Sequence, residues 1–179
     1  MRSQNVTTKN IHRRPFLQRA INPHRCNIAC DANALDREGT SKDQFVDRFI
    51  ELVESGVINV VVAGGVRDEV QHPRTPHDVK SVVLPRIFNL RPGLNSSQQA
   101  ERARVRSILQ GNAKPGTHAA DVSHLAEAAE TGCCYFITND KRILSKRDEL
   151  RSALPPTLSV VTMREFLDIL DDFDAGRRL

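Results

Sequence analysis

The sequence predicts an α/β domain whose parallel sheet is covered by helices on both faces. Short apolar runs alternate along the chain with longer segments of helical periodicity. Within those runs apolar and polar residues do not alternate, so the runs read as strands buried on both faces, as parallel strands are. The length, 179 residues, suits one domain and is short for two.

The first strand is expected at Asn27–Asp31, an apolar run ending in an acid. Ser41 opens a helix, with Gln44 three residues on as in a capping box. Phe45, Phe49, Leu52 and Val53 follow at helical spacing, and Gly56 closes the helix. Val57–Ala63 is a second buried strand. Gly64-Gly65 then turns into a short helix with Asp68, Glu69 and Val70. Pro73, Pro76, Pro85 and Pro92 leave residues 72–95 without a regular pattern. A helix is expected from Ser96 to Gln110, with Ala100, Ala103 and Ile108 on one face. Thr117 caps the next helix, apolar at Val122, Leu125, Ala128 and Ala129 and ended by Gly132. Cys133–Thr138 is the third strand, and Asn139-Asp140 turns into a helix over Ile143–Leu150. A last strand, Leu158–Thr162, and a helix, Met163–Phe173, complete the chain.

Composition bounds the function. Hydrophobic residues make up 39% and charged residues 27%, which suits a globular protein and excludes disordered and fibrous classes. The longest nearly apolar stretch, Val57–Val66, is far short of the roughly 18 residues a membrane span needs, so no membrane role is expected. Cys26, Cys30, Cys133 and Cys134 fit neither a disulfide scaffold nor a zinc pattern. They read as reduced thiols and point to the cytoplasm. With no Trp and one Tyr, single-strand binding would lean on charge.

The net charge of +4 is unevenly placed. Residues 1–25 hold six basic side chains and no acid; the other 154 residues hold 20 basic and 22 acidic side chains. The chain therefore divides into a basic extension, 1–25, and a single domain, 26–179. The extension reads as a solvated tail, a nucleic-acid-binding arm or, in composition, a transit peptide. It lacks the apolar core of a secretory signal.

In an open parallel sheet the site lies beyond the carboxyl ends of the strands. Strand one ends at Asp31, strand two leads to Glu69, strand three ends Thr138-Asn139-Asp140, and Asp121 lies early in the helix before strand three. Singly, each acid has a structural use: Asp121 and Asp140 at helix N-termini, Asp31 in an Asx turn. Together they would repel, by about 4 kcal/mol for a pair 4 Å apart at an effective dielectric of 20. A hard divalent cation offsets that repulsion, and all-oxygen ligation selects Mg²⁺ or Mn²⁺. Such a site suits phosphodiester cleavage.

These residues carry a resemblance to the PIN-domain nucleases. The matching pieces are Asn27-Ile-Ala-Cys-Asp-Ala-Asn33, Val66-Arg-Asp-Glu-Val70, Ala119-Ala-Asp-Val-Ser-His-Leu125 and Phe136-Ile-Thr-Asn-Asp-Lys-Arg-Ile143, in the family's order. The resemblance implies a three-layer α/β/α fold with a parallel sheet of four or five strands, and metal-dependent cleavage of RNA. It implies Asp31, Glu69, Asp121 and Asp140 as catalytic acids and ligands to Mg²⁺ or Mn²⁺. Thr138, Asn139 and Asn33 would support them. Asp68 competes with Glu69, but Glu69 followed by Val70 fits the motif better. Among the relatives are VapC-type toxins, which would imply an antitoxin partner and a homodimer. Those compact toxins are shorter: here 51 residues separate Glu69 from Asp121, and the first 25 residues are extra.

Lys141 and Arg142 are placed to meet a phosphate, and Arg102 and Arg106, at i and i+4, share a helix face that could line an RNA groove. A solvated helix surface is the plainer reading of that pair. His118 and His124 flank Asp121 and read as surface or supporting residues, because an all-carboxylate site needs no imidazole. A haloacid-dehalogenase-type phosphatase would need an acid where Asn33 stands, and Gly64-Gly65 makes no dinucleotide fingerprint. A catalytically silent PIN-like domain that binds RNA or a protein partner is the remaining alternative.

Overall fold

A computed structural model describes residues 21–73, 75–86 and 94–176, which form a three-layer α/β/α domain. The elements are β1 (Asn27–Cys30), α1 (Asp43–Glu54), β2 (Asn59–Val61), α2 (Val66–Val70), α3 (His77–Val83), α4 (Ser96–Gln110), α5 (Ala119–Glu130), β3 (Tyr135–Ile137), α6 (Lys141–Ser145), α7 (Arg147–Leu150), β4 (Ser159–Val161) and α8 (Met163–Asp174). All four strands are parallel, in the order β2-β1-β3-β4. Ile28 stands opposite Val60 on one side and Tyr135 on the other.

Each strand feeds both faces of the sheet. Ile28, Cys30, Tyr135 and Ile137 pack with Phe49, Val53, Val79, Phe166 and Leu170 under α1, α2, α3 and α8. Ala29, Phe136 and Val160 turn the other way, onto Val105, Leu109, Leu125 and Leu150 under α4, α5 and α7. Cys30 and Cys133 are buried as core residues, and burial pushes the Cys30 thiol well above its ordinary range. Among the described residues all four cysteines are free, and no helix is long and apolar enough to cross a membrane.

Several local expectations are corrected. The capping box at Ser41 and Gln44 does not form; α1 begins at Asp43, whose carboxylate accepts the N–H groups of Glu38 and Gly39. Thr117 does not cap α5, because its hydroxyl donates to the Lys114 carbonyl. On α4 the buried residues are Val105 and Leu109, with Ala100 and Ala103 exposed. The region expected to be irregular contains α3. Pro76 stands at its N-cap, where a proline starts a helix at no cost in hydrogen bonds.

The domain also begins earlier than expected. Pro23–Arg25 forms a 3-10 turn capped by Asn22. His24 Nε2 lies 2.6 Å from Asp174 Oδ1 on α8, and the Tyr135 hydroxyl donates to the Ile21 carbonyl. Residues 21–25 are therefore tied to the domain. The first twenty residues of the basic extension lie outside the described residues.

Candidate metal centre

Chain order fixes where the site forms. From β1 the chain goes to β2 on one side and later to β3 on the other, so the strand order reverses between β1 and β3. Crossovers diverge there and leave a crevice beyond the strand ends. Asp31 and Thr138 are the first residues past those two strands, and the Asp31 N–H bonds the Ile137 carbonyl across the gap at 2.9 Å.

Asp31 is buried and held on all sides. Its Oδ1 accepts from its neighbour's N–H, Ala32, at 3.0 Å. Its Oδ2 accepts from Asn33 Nδ2 at 2.8 Å and from the Thr138 hydroxyl at 3.0 Å. Asn33 Oδ1 in turn accepts the Asn139 N–H at 2.9 Å. Asn33, Thr138 and Asn139 thus form a hydrogen-bonded frame that joins the ends of β1 and β3.

Two groups face Asp31. Glu69 projects from α2 and is exposed; His124 projects from α5 and is buried. One ligand atom from each of Asp31, Glu69 and His124 lies within 4.8 Å of the others. His124 Nδ1 is 3.4 Å from Asp31 Oδ1, yet it has no aligned hydrogen-bond partner. The surface role expected of His124 is therefore corrected. Room for its ring comes from Gly65, since a Cβ there would stand 2.9 Å from Nε2.

Asp121 and Asp140 sit apart from this set. Asp140 caps α6: its Oδ1 accepts the N–H groups of Arg142 at 2.7 Å and Ile143 at 3.2 Å. Arg142 reaches back over it, pairs with Asp121 Oδ2, touches His118 Nε2 and lies 3.8 Å from Asp140 Oδ2. Arg142, expected to meet phosphate, is thus engaged by the acids, and the four carboxylates divide into two pairs. Arg102 is engaged too, by a two-pronged pair with the buried Glu130 carboxylate at 2.9 and 3.0 Å. That pair ties α4 to α5 and occupies the guanidinium that was expected to line an RNA groove. Arg106 is exposed, beside a shallow hollow with Ser107 and Gln110.

The electrostatics match crowding. The Glu69 carboxyl is raised above its ordinary value by burial first, then by the Asp31 and Asp121 charges, with His124 opposing. Asp121 is raised by burial first, then by the Asp140 and Asp31 charges, with His124 opposing. For His124, burial disfavours the charge, but the Asp31 carboxylate together with Glu69 and Glu127 outweighs it and raises the imidazole above its ordinary value. Each raised group stabilises the fold while protonated and loses that contribution as pH rises through its raised pKa. The metal-free site therefore holds its protons, which a bound cation would displace.

A groove of about 880 Å³ opens beside Asn33 and Asp140 and runs toward α1 and the start of α8. Lys42, Lys141 and Arg164 line it, and the Arg164 guanidinium lies over the Phe45 ring, 6.0 Å from its centroid. Of these only Lys141 was legible as a phosphate contact. Lys42 and Arg164 come from distant elements, and no local pattern marks them. No family model, curated protein or solved structure matches the chain.

Proposed function

We propose that the protein is a PIN-type, metal-dependent ribonuclease working in the reducing setting that its free thiols fit. The observation that carries this reading is the meeting of Asp31, Glu69 and His124 within 4.8 Å at the β1/β3 switch point. The donor set fits a hard divalent ion. Ligands at about 2.1 Å stand about 3 to 4 Å apart, close to this spacing, and the buried His124 Nδ1, which makes no aligned hydrogen bond, is the kind of atom a ligand satisfies. A cation held there would activate a water and stabilise the leaving oxygen of a phosphodiester.

The chain's own residues do the rest. Asn33 and Thr138 fix the Asp31 carboxylate, so its position costs no reorganisation when substrate binds. Glu69, exposed at the rim, can close on a cation from α2. Lys141 follows Asp140 into the groove and is placed for the phosphate backbone, which charge attracts without regard to sequence. Asp121 and Asp140 complete the acidic set once Arg142 moves off them. That clamp also favours the second reading, a PIN-like domain that binds RNA without cutting it.

A labelled single-stranded RNA oligonucleotide incubated with Mn²⁺ or Mg²⁺ separates the two. Cleavage is expected with either ion, abolished by EDTA, with 5′-phosphate and 3′-hydroxyl ends on the products. Cleavage that survives thorough chelation, or products ending in 2′,3′-cyclic phosphate, would contradict the metal-dependent reading. Binding without cleavage in the presence of Mn²⁺ supports the silent domain.

A further inference from the structure

We infer that His124 is itself a metal ligand, so that the centre is a mixed nitrogen–oxygen site selective for Mn²⁺ over Mg²⁺. The inference rests on the metal-site reading above and adds the identity of the ion.

Three features of His124 single it out from an ordinary core histidine. Only 2% of the residue is exposed, and its Nδ1 makes no aligned hydrogen bond, so one ring nitrogen has lost water and gained only the Asp31 carboxylate as a charged neighbour. Buried polar groups are seldom left so, because each costs free energy. The unsatisfied nitrogen also lies 3.4 Å from Asp31 Oδ1, in the group of ligand atoms that includes Glu69. Finally, the ring's place is kept open by a glycine on the facing segment, where any side chain would stand against Nε2.

A ligand set of two carboxylates and one imidazole treats the two ions differently. Mg²⁺ favours oxygen donors and keeps its waters, so it gains little from an imidazole. First-row transition ions accept imidazole readily, and Mn²⁺ among them still favours carboxylates. His124 therefore adds to Mn²⁺ affinity and adds little for Mg²⁺. Asp121 lies one helical turn before His124 on α5, so the same turn of helix offers both a carboxylate and an imidazole to the crevice.

The test uses Mn²⁺ as a probe on the full chain. Pulsed electron paramagnetic resonance of bound Mn²⁺ is expected to show ¹⁴N coupling from a ligated imidazole. The coupling should vanish in His124→Asn and persist in His118→Asn. Competition titrations should show Mn²⁺ affinity falling at least about tenfold in His124→Asn, since even a residue that only supports a ligand is worth about that much, while Mg²⁺ affinity changes less than about threefold. Wild-type protein that binds Mn²⁺ with no ¹⁴N coupling would overturn the inference and leave the nuclease reading standing. Equal losses for both ions in the variant would do the same. Wild-type protein that binds neither ion would overturn both. The wild-type spectrum decides even where His124→Asn does not fold.

Discussion

Asp31→Asn is expected to abolish saturable Mn²⁺ binding and to lower RNA cleavage by about a thousandfold, equivalent to about 4 kcal/mol of barrier. Asp31 stands at the centre of the switch point, where Asn33, Thr138 and His124 all converge on its carboxylate. The substitution removes the charge and also changes the hydrogen bonding. Oδ2 accepts two bonds and Oδ1 one, so an amide nitrogen at either position meets a donor. Asn33 cannot simply flip to relieve this, because its own oxygen accepts the Asn139 N–H. A buried mismatch of this kind costs about 1–3 kcal/mol, partly offset by relief of repulsion with Glu69. Thermal melts without metal measure that cost separately from binding. Glu69→Gln serves as the companion, since Glu69 is exposed and its loss should reduce metal affinity with little change in stability. Asp31→Asn protein that melts near wild type and still cleaves RNA would remove Asp31 from the site.

Arg142→Met is expected to act in the opposite sense on metal, raising Mn²⁺ affinity at least about tenfold while lowering the metal-free melting temperature. Met keeps much of the stem and discards the charge. In the native protein the guanidinium neutralises Asp121 and sits beside Asp140, as a cation does among crowded acids. Freed of the guanidinium, the two acids add negative charge to the crevice, and an attraction screened by solvent to about 1.4 kcal/mol is already a tenfold change in affinity. The stability cost should be about 1–2 kcal/mol, because both partners of the pair are about a quarter exposed. Calorimetric titration with Mn²⁺, beside melts with and without the ion, distinguishes this from a purely structural role. A variant that loses stability while its Mn²⁺ affinity is unchanged would show that Arg142 does not compete with the ion.

Much of this arrangement was legible in the sequence because it depends on short-range chemistry. Four unalternating apolar runs gave the four parallel strands, and the acids that follow them gave Asp31 and Asp140 at the strand ends. What escaped depends on how elements face one another. On α4, Arg102, Val105 and Leu109 turn toward α5, while the alanines at 100 and 103 point to solvent. The small side chains looked apolar without being needed in the core. The prolines near α3 resembled breaks, although Pro76 begins a helix.

The burial of His124 has a signal in the sequence. It follows Asp121 by three residues, so a helix that turns Asp121 toward the crevice turns His124 the same way. Leu125 and Ala128 continue that stripe into the core, which explains why the histidine is buried. The engagement of Arg142 by Asp121 had no such signal, because the two come from different elements, joined only by the fold.

Binding of a divalent cation where β1 and β3 diverge is open to direct observation by diffraction from a crystal soaked in Mn²⁺. An anomalous peak is expected within bonding distance of the Asp31 and Glu69 carboxylates, with His124 beside it. An Mn²⁺ peak elsewhere on the chain, or none at saturating Mn²⁺ with the crevice open to solvent, would contradict it.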